Sequence, residues 1–376
     1  MASLHRSPLA FLCATNAVLA IAACGLPACA QTYTTVTIPP QGTNPGRVTI
    51  DREIQLGNDY LSGHGVNKDE KQAAYWYEKA ADAGNPWAQK QIGFLYQAGI
   101  GVPADAVRAV HWYQLAAAGG VVSAKTNLGV AYLWGSGVPK DAAMAALLFR
   151  EAAEKGDGRA AAYLGDVYCL GIGVKQDKAA AERWYMVGAK RHDPLAEFDL
   201  GMLFSVEDHP HDFEKAAKWL RKSMAGGYVP AMHSLALLLQ AHPDLGKSDR
   251  EFLSLFEQAS GYGQWRSSHA LGILYRDGLL IRRDPAAAYY YLELAVLQAG
   301  DAVPKSLSSM LQELSTETGS EVAKKQEAAA RDWYRQHPDR IELLIKDHRN
   351  GAEEGLAIAA PLTGFHAGQI LQAPAS

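Results

Sequence analysis

The densest collection of potential metal ligands in the chain lies between residues 207 and 212, which read Glu-Asp-His-Pro-His-Asp. Two histidines and a carboxylate can hold a zinc ion with one open coordination position, the arrangement that hydrolytic sites require. However, Pro210 separates the two histidines, and no H-x-x-x-H pair on a helix supports them. The sequence therefore favours a solvated acidic loop, and His209 and His211 are the alternative metal ligands.

The glycine-rich turns and the tryptophans also invite chemical interpretations. The run from Gly99 to Pro103 follows a predicted helix rather than a strand, and no complete G-x-x-x-x-G-K-S/T motif occurs, so a phosphate-binding loop is not indicated. Gly135-Ser136-Gly137 lacks the preceding strand that a nucleophile elbow needs. Tryptophans can stack on carbohydrate, but Trp76, Trp112 and Trp184 have the spacing of a buried helix face. The sequence predicts no cofactor and no catalytic residue.

A repeat unit of 36 residues positions these side chains. Its glycine recurs at positions 57, 93, 129, 165 and 201, after which Ala236 takes the place and Gly272 restores it. A fixed period of this length across several copies is typical of a solenoid of stacked units rather than of one globular core. A pair of large side chains recurs in step: Trp76-Tyr77, Trp112-Tyr113, Leu148-Phe149, Trp184-Tyr185, Trp219-Leu220, Leu255-Phe256 and Tyr291-Leu292.

Within each unit the sequence predicts two helices joined by a glycine-rich turn. Glycine ends the first helix because it reaches backbone conformations that strain other residues. An aspartate then begins the second helix and accepts hydrogen bonds from unpaired first-turn amides, a cap worth ~1 kcal/mol. The predicted fold class is all-α, a solenoid of helix-turn-helix repeats. The predicted caps are Asp69, Asp105, Asp141, Asp177 and Asp284.

The succession A-x-x-x-L-G-x-x-Y-x-x-G-x-G-V-x-x-D, followed by A-x-x-W-Y-x-x-A-A-x-x-G, resembles the Sel-one-like repeat (SLR), a relative of the tetratricopeptide repeat. Residues 88–118, with Ile92 in place of the leucine, and residues 54–84 match it most fully. The resemblance implies a right-handed α/α superhelix that serves as a protein-interaction scaffold. It also implies a role like that of exported bacterial members, which act as adaptors in envelope processes such as polysaccharide export, signalling or host contact.

Residues 1–30 read as an export signal. Arg6 precedes an apolar run from Leu9 to Ala23, and residues 28–30 form an A-x-A cleavage pattern, which together predict a secretory signal peptide ending at Ala30. The alternative is a lipobox ending at Cys24, which would carry a lipid anchor. Both interpretations predict export, to the periplasm or beyond the cell, with an envelope-anchored lipoprotein as the alternative.

The remaining composition restricts the classes of partner. The formal net charge is -4 and lysines and arginines are spread along the chain, so there is no basic stripe for nucleic acid. Beyond the signal no apolar run approaches the ~20 residues that a membrane-spanning helix needs. The predicted domains are a signal peptide (1–30), a flexible linker (31–50), seven SLR-type repeats (51–300), C-terminal capping helices (301–345) and a flexible tail (346–376).

Positions that change between copies carry the information about a partner. In the tetratricopeptide arrangement the first helix of each unit lines the concave surface, so residues three before, one after and four after each repeat glycine are predicted to face a groove. Mixed apolar and polar side chains there suit a peptide or a partner helix. The predicted partner-binding residues are Asn58, Leu61, Lys90, Phe94, Gln97, Thr126, Val130, Leu133 and Asp166.

The predicted function is an exported, non-enzymatic scaffold or adaptor that binds a protein partner on its concave face in a cell-envelope process. Two alternatives stay open. One is an envelope hydrolase, metal-dependent or cell-wall-directed, that uses the loop containing His209 and His211. The other is a secreted, host-directed effector.

Overall fold

The computed structural model describes residues 49–205, 212–248, 250–278, 280–300 and 306–337. These residues form sixteen α-helices and one short 3-10 helix, and they contain no strand, so the predicted all-α class is confirmed. The predicted signal peptide with Cys24, the linker up to residue 48, His209 and His211, and the predicted tail lie outside the described residues.

The chain divides into two compact units between Arg191 and His192. In the first unit each helix packs against the helices before and after it in sequence. Corresponding helices begin 36 residues apart, so the sequence period is the structural period. The pairs are α1 (Ile50–Ser62) with α2 (Glu70–Asp82), α3 (Pro86–Ala98) with α4 (Ala106–Ala118), α5 (Val122–Trp134) with α6 (Ala142–Glu154), and α7 (Gly158–Leu170) with α8 (Lys178–Ala189).

The second unit continues the alternation and adds two helices at its C-terminal end. Its helices are α9 (Pro194–Phe204), α10 (Phe213–Ala225), α11 (Val229–Ala241), α12 (Glu251–Gly261), α13 (Trp265–Asp277), α14 (Pro285–Ala299), α15 (Ser306–Thr318) and α16 (Ser320–Gln336). The 3-10 helix Pro243–Leu245 lies between α11 and α12. Ala288 and Leu292 of α14 form a buried cluster with Leu307 and Leu314 of α15, and α16 also packs on α14.

The predicted caps are confirmed. Asp69 Oδ1 accepts hydrogen bonds of 3.0 Å from the amides of Lys71 and Gln72 at the start of α2. The other four aspartates accept first-turn amides in the same way at the starts of α4, α6, α8 and α14. The first helices α1 and α3 end at Gly63 and Gly99, whose φ angles of 76° and 67° lie in the left-handed region that favours glycine.

A second glycine in the turn allows neighbouring helix pairs to approach. A Cβ atom on Gly101 would overlap the backbone of Glu70 at the start of α2, the second helix of the preceding pair. Gly137 and Gly173 meet the backbones of Ala106 and Ala142 in the same way. In the turns after α3, α5 and α7 the two glycines therefore have separate roles, because one ends a helix and the other sets the spacing between pairs.

The repeat glycine of each first helix lies against the large side chain of the second helix. A Cβ atom on Gly57 would be 2.7 Å from Tyr77 Cε1, and one on Gly129 would be 2.5 Å from Phe149 Cε1. Tyr113 and Tyr185 cover Gly93 and Gly165 in the same way, and all four rings are buried. The tryptophan one residue earlier is only half-buried, as at Trp112.

We expect Gly129→Ala to lower the free energy of unfolding. Alanine normally stabilises a helix by up to ~1 kcal/mol relative to glycine, but the added methyl must displace the Phe149 ring at an overpacking cost of about 1–3 kcal/mol. Chemical denaturation of the two proteins measures the difference.

Gly261→Ala is the matched control, since Gly261 ends α12 and an added Cβ would have no heavy atom of another described element within 4 Å. This variant should leave the free energy of unfolding unchanged or raise it. Equal effects of the two substitutions would contradict the ring contact as the reason for the repeat glycine.

Candidate functional site

The nine predicted partner-binding residues occupy the first helices α1, α3, α5 and α7. On α1 and α3 they are half-buried, so part of each side chain remains accessible: Asn58, Leu61, Lys90, Phe94 and Gln97. On α5 and α7 they are buried: Thr126, Val130, Leu133 and Asp166. The accessible part of the predicted surface therefore belongs to α1 and α3, and its contact with a partner stays a prediction.

Several of these residues have a structural role that sequence reasoning missed. The tyrosine ring covers the repeat glycine, so its hydroxyl reaches just past the first helix and meets a side chain one or four residues after that glycine. There it donates a hydrogen bond to a polar side chain. The three bonds are Tyr77 to Asn58 Oδ1 (2.7 Å), Tyr113 to Gln97 Oε1 (2.6 Å) and Tyr185 to Asp166 Oδ1 (2.8 Å).

The third helix pair shows the complementary case. Phe149 has no hydroxyl, and the two positions that would accept one are the buried apolar residues Val130 and Leu133. The ring packs instead against Tyr163 of the next first helix, with ring centroids 5.2 Å apart. This correlation between ring and acceptor is present in the sequence, and comparison of the copies with one another would have revealed it.

The tyrosine hydroxyls also join neighbouring pairs. Tyr77 and Tyr113 are hydrogen-bonded by Gln91 and Asn127 respectively, each on the first helix of the next pair. Burial raises the pKa of Tyr77 to about 12 and raises the pKa of Tyr113 as well. Both phenols therefore stay protonated at neutral pH and donate to their own first helix while they accept from the next one.

Asp166 is the buried acid of this region. Burial raises its pKa well above the usual value for aspartate, although the hydrogen bond from Tyr185 acts in the opposite direction. Cys169, one turn later on α7, is buried and not in a disulfide. The folded state thus favours the protonated carboxyl, which suits a structural position more than a catalytic base facing solvent.

No metal centre or phosphate loop is present among the described residues. They contain no group of three or more histidine, cysteine, aspartate and glutamate side chains that could hold a metal ion. The short run Gly246-Lys247-Ser248 follows the 3-10 helix, and the amide of Lys247 donates to Glu251 Oε2 rather than facing an open anion site. No described helix combines the length and the apolar character needed to cross a bilayer. The metal hypothesis for His209 and His211 concerns residues outside this part of the chain.

Exposed apolar side chains favour the second helices of the first unit, a surface that the sequence reasoning did not select. Tyr75 on α2, Val107 on α4 and Leu147 on α6 are 54%, 67% and 47% exposed. On the first helices the exposed large apolar side chains of this unit are Ile50 and Trp87, at 37% and 39%. The second-helix face is therefore the natural comparison surface for any test of partner binding.

The Sel1 repeat model matches residues 53–85, 88–121, 122–157, 158–186, 194–228 and 265–299, which together make up more than half of the chain. The chain belongs to the Sel1 repeat family. Each matched segment covers most of one helix pair. Residues 229–264 also form a pair, α11 with α12, but this copy has Ala236 in place of the repeat glycine and is not matched.

A solved structure of a Sel1 repeat protein shares this fold. A Sel1 repeat protein from Oxalobacter formigenes is 28% identical, covers 64% of this chain and 98% of its own, and superposes with a TM-score of 0.56. A protective antigen of uropathogenic Escherichia coli with an SLR fold is 21% identical and covers 79% of this chain and 71% of its own, with a TM-score of 0.40.

A curated relative is chitin synthase regulatory factor 2 of Schizosaccharomyces pombe, 31% identical over 96 residues. The match covers 25% of this chain and spans only 19% of the length of that protein. It shows a shared repeat segment, and it does not transfer the fungal protein's role.

We expect Phe149→Tyr to destabilise this Sel1 repeat protein, because Val130 and Leu133 offer the new hydroxyl no acceptor. A buried hydroxyl without a partner costs about 1–3 kcal/mol. Adding Val130→Asn supplies an acceptor at the position of Asn58 in the first pair, and should recover about 1 kcal/mol in a double-mutant cycle measured by denaturation. Additive effects of the two changes would contradict the ring–acceptor correlation.

The buried carboxyl predicts a pH dependence. Because the folded-state pKa of Asp166 is raised, its stabilising protonated form is fully present below pH ~4 and is lost as the pH rises toward the folded-state value. The free energy of unfolding of the wild type should therefore fall relative to that of Asp166→Asn, by up to about 1.4 kcal/mol per pH unit within that interval. Urea denaturation at several pH values tests this, and a constant difference between the proteins would contradict it.

Proposed function

We propose that this chain is an exported scaffold that binds a protein partner through α1 and α3 in a cell-envelope process. Sel1 repeat proteins are generally protein-interaction scaffolds, and the fold is typically non-enzymatic. We choose this surface because its side chains are only half-buried, whereas the equivalent residues on α5 and α7 are buried. The half-buried residues are Asn58, Leu61, Phe94 and Gln97.

The proposed surface is held in place before a partner arrives. Asn58 and Gln97 accept hydrogen bonds from buried tyrosines, and Leu61 and Phe94 pack against the buried core of the first unit. Side chains that are already ordered lose little conformational entropy on binding, which favours affinity for a given contact area. Such a surface suits a peptide or helix that has apolar side chains and polar groups able to form hydrogen bonds with side-chain amides.

We propose export on the sequence pattern of residues 1–30 alone. The A-x-A pattern supports a periplasmic or secreted chain, and the pattern ending at Cys24 supports a lipid-anchored one. Fractionation of cells that carry a C-terminally tagged chain distinguishes envelope, medium and cytoplasm. Labelling with palmitate that depends on Cys24 would identify the anchored form, and recovery only in the cytoplasm would contradict export.

The double variant Lys90→Glu, Phe94→Ala tests the binding surface. In-cell crosslinking followed by partner identification should recover at least about tenfold less partner than with the wild type, since the variant replaces a cation and removes an apolar contact on α3. Complementation of a deletion strain should fall in parallel.

The matched control is Val107→Ala, Leu147→Ala on the second-helix face, with circular dichroism to show that both variants fold. The control should retain the partner. A loss confined to the control variant would place the partner on the second helices and contradict the proposal.

A further inference from the structure

Arg266 in the second unit is a positive charge that has no counter-charge among the described residues. It lies in the first turn of α13 with its guanidinium carbon 4.9 Å from the centre of the Trp265 ring. Its Nε is buried and has no hydrogen-bond partner, and no carboxylate of the described residues forms an ion pair with it. Burial lowers the pKa of this guanidinium. An arginine in this state costs stability, because buried charges are normally paired.

Two histidines and a hydroxyl stand around this charge. His269 follows Arg266 by three residues on α13, and its Nε2 is buried without a partner among the described residues. His233 of α11 has its Nδ1 2.9 Å from Ser267 Oγ. Arg266, His233 and His269 are each half-buried and can be reached from solvent, whereas Ser267 is fully buried.

Among the described residues, the charges that act on the two histidines are positive. Burial, with the charges of Arg266 and His269, lowers the pKa of His233 to about 3. Burial and Arg276 lower the pKa of His269, and no carboxylate contributes to either shift. Arg276 itself is paired with Asp277, so the unpaired charge of this neighbourhood is on Arg266.

We propose that Arg266, His269 and His233, the last of which is held in place by Ser267, bind a carboxylate presented by a protein partner. A guanidinium recognises a carboxylate through two parallel hydrogen bonds, and the neutral imidazoles supply further donors. The inference rests on the proposed scaffold function, and it adds the chemical class of one recognition element.

Apolar surface beside the charge favours a peptide over a free oxyanion. The Trp265 ring flanks the guanidinium, and Leu237, one turn after His233 on α11, is 41% exposed. A partner with an acidic residue next to an apolar one would place both on complementary surface, whereas inorganic phosphate would use only the polar part. The hydrogen-bond donors of the site and the exposed Leu237 thus favour, as the ligand, a peptide with an acidic residue next to an apolar one.

A titration of the full chain tests the site directly. The probes are an acetylated pentapeptide amide with a central Leu-Glu pair, its Leu-Gln counterpart, and inorganic phosphate at constant ionic strength, with the imidazole NMR resonances of His233 and His269 as the readout. The Leu-Glu peptide should shift both resonances, and the Leu-Gln peptide should not. Equal shifts with the two peptides, or stronger binding of phosphate, would overturn the proposal.

Arg266→Met removes the charge and keeps an unbranched stem for the Trp265 ring. This variant should unfold at the same temperature as the wild type or higher, and should bind the Leu-Glu peptide at least about tenfold more weakly, the value of a lost charge-assisted hydrogen bond. Arg282→Gln, which removes an exposed charge of the same unit, is the matched control and should bind normally. Undiminished peptide binding by Arg266→Met would refute the site.

In-cell crosslinking separates this inference from the proposed function. A partner lost with Lys90→Glu, Phe94→Ala but fully retained with Arg266→Met would support the scaffold and refute the carboxylate site. If the wild type captures no partner, the scaffold proposal fails, and the peptide titration still decides whether Arg266 binds a carboxylate.

Discussion

The contact between a helix glycine and the large side chain of the following helix is the constraint on which each repeat depends. The Phe149 ring occupies the space that a methyl group on Gly129 would need. The Tyr77 ring occupies the corresponding space at Gly57. The absence of a side chain on one helix therefore fixes how deeply the ring of the other can enter, and with it the distance between the two helices. Because a buried ring removes a large apolar area from water, this fit accounts for much of the stability of each pair.

The same contact limits where information about a partner can reside. Where a tyrosine covers the glycine, its hydroxyl needs an acceptor one or four residues after that glycine. Asn58, Gln97 and Asp166 are these acceptors, so their polar character follows from the tyrosine. Where Phe149 replaces tyrosine, both positions become apolar. Part of the variation between copies thus reflects the match between ring and acceptor inside each pair. A residue that changes between copies is informative about binding only when its side chain also remains accessible.

The period, the caps and the glycine turns were predictable because each follows from local chemistry: a left-handed backbone at Gly63, or first-turn amides facing Asp69. The burial of Val130 and Asp166 was not predictable, because helical periodicity identifies a face of a helix and does not show how closely the next helix covers that face. Arg266 was also missed in the sequence, where it is an ordinary residue of an amphipathic helix. The lack of a counter-charge is a property of the surrounding helices, which only the fold brings together.

The neighbourhood of Arg266 argues against loose packing as the origin of the unpaired charge. Close by in the chain, Ser268 donates to Gln298 Oε1 at 2.6 Å, and Gln298 Nε2 donates to the carbonyl of Ser260 at 3.0 Å, so a fully buried polar network is satisfied. A fold that pairs these groups leaves Arg266 Nε, two residues before Ser268, and His269 Nε2, one residue after it, without a partner among the described residues. Partly satisfied buried polar groups lower stability, and such a local departure from the rule is expected where binding rather than folding determines the residue. The unpaired guanidinium of Arg266 lowers the stability of the free protein and also makes it able to bind a carboxylate, because the ligand supplies the negative charge that the surrounding helices do not.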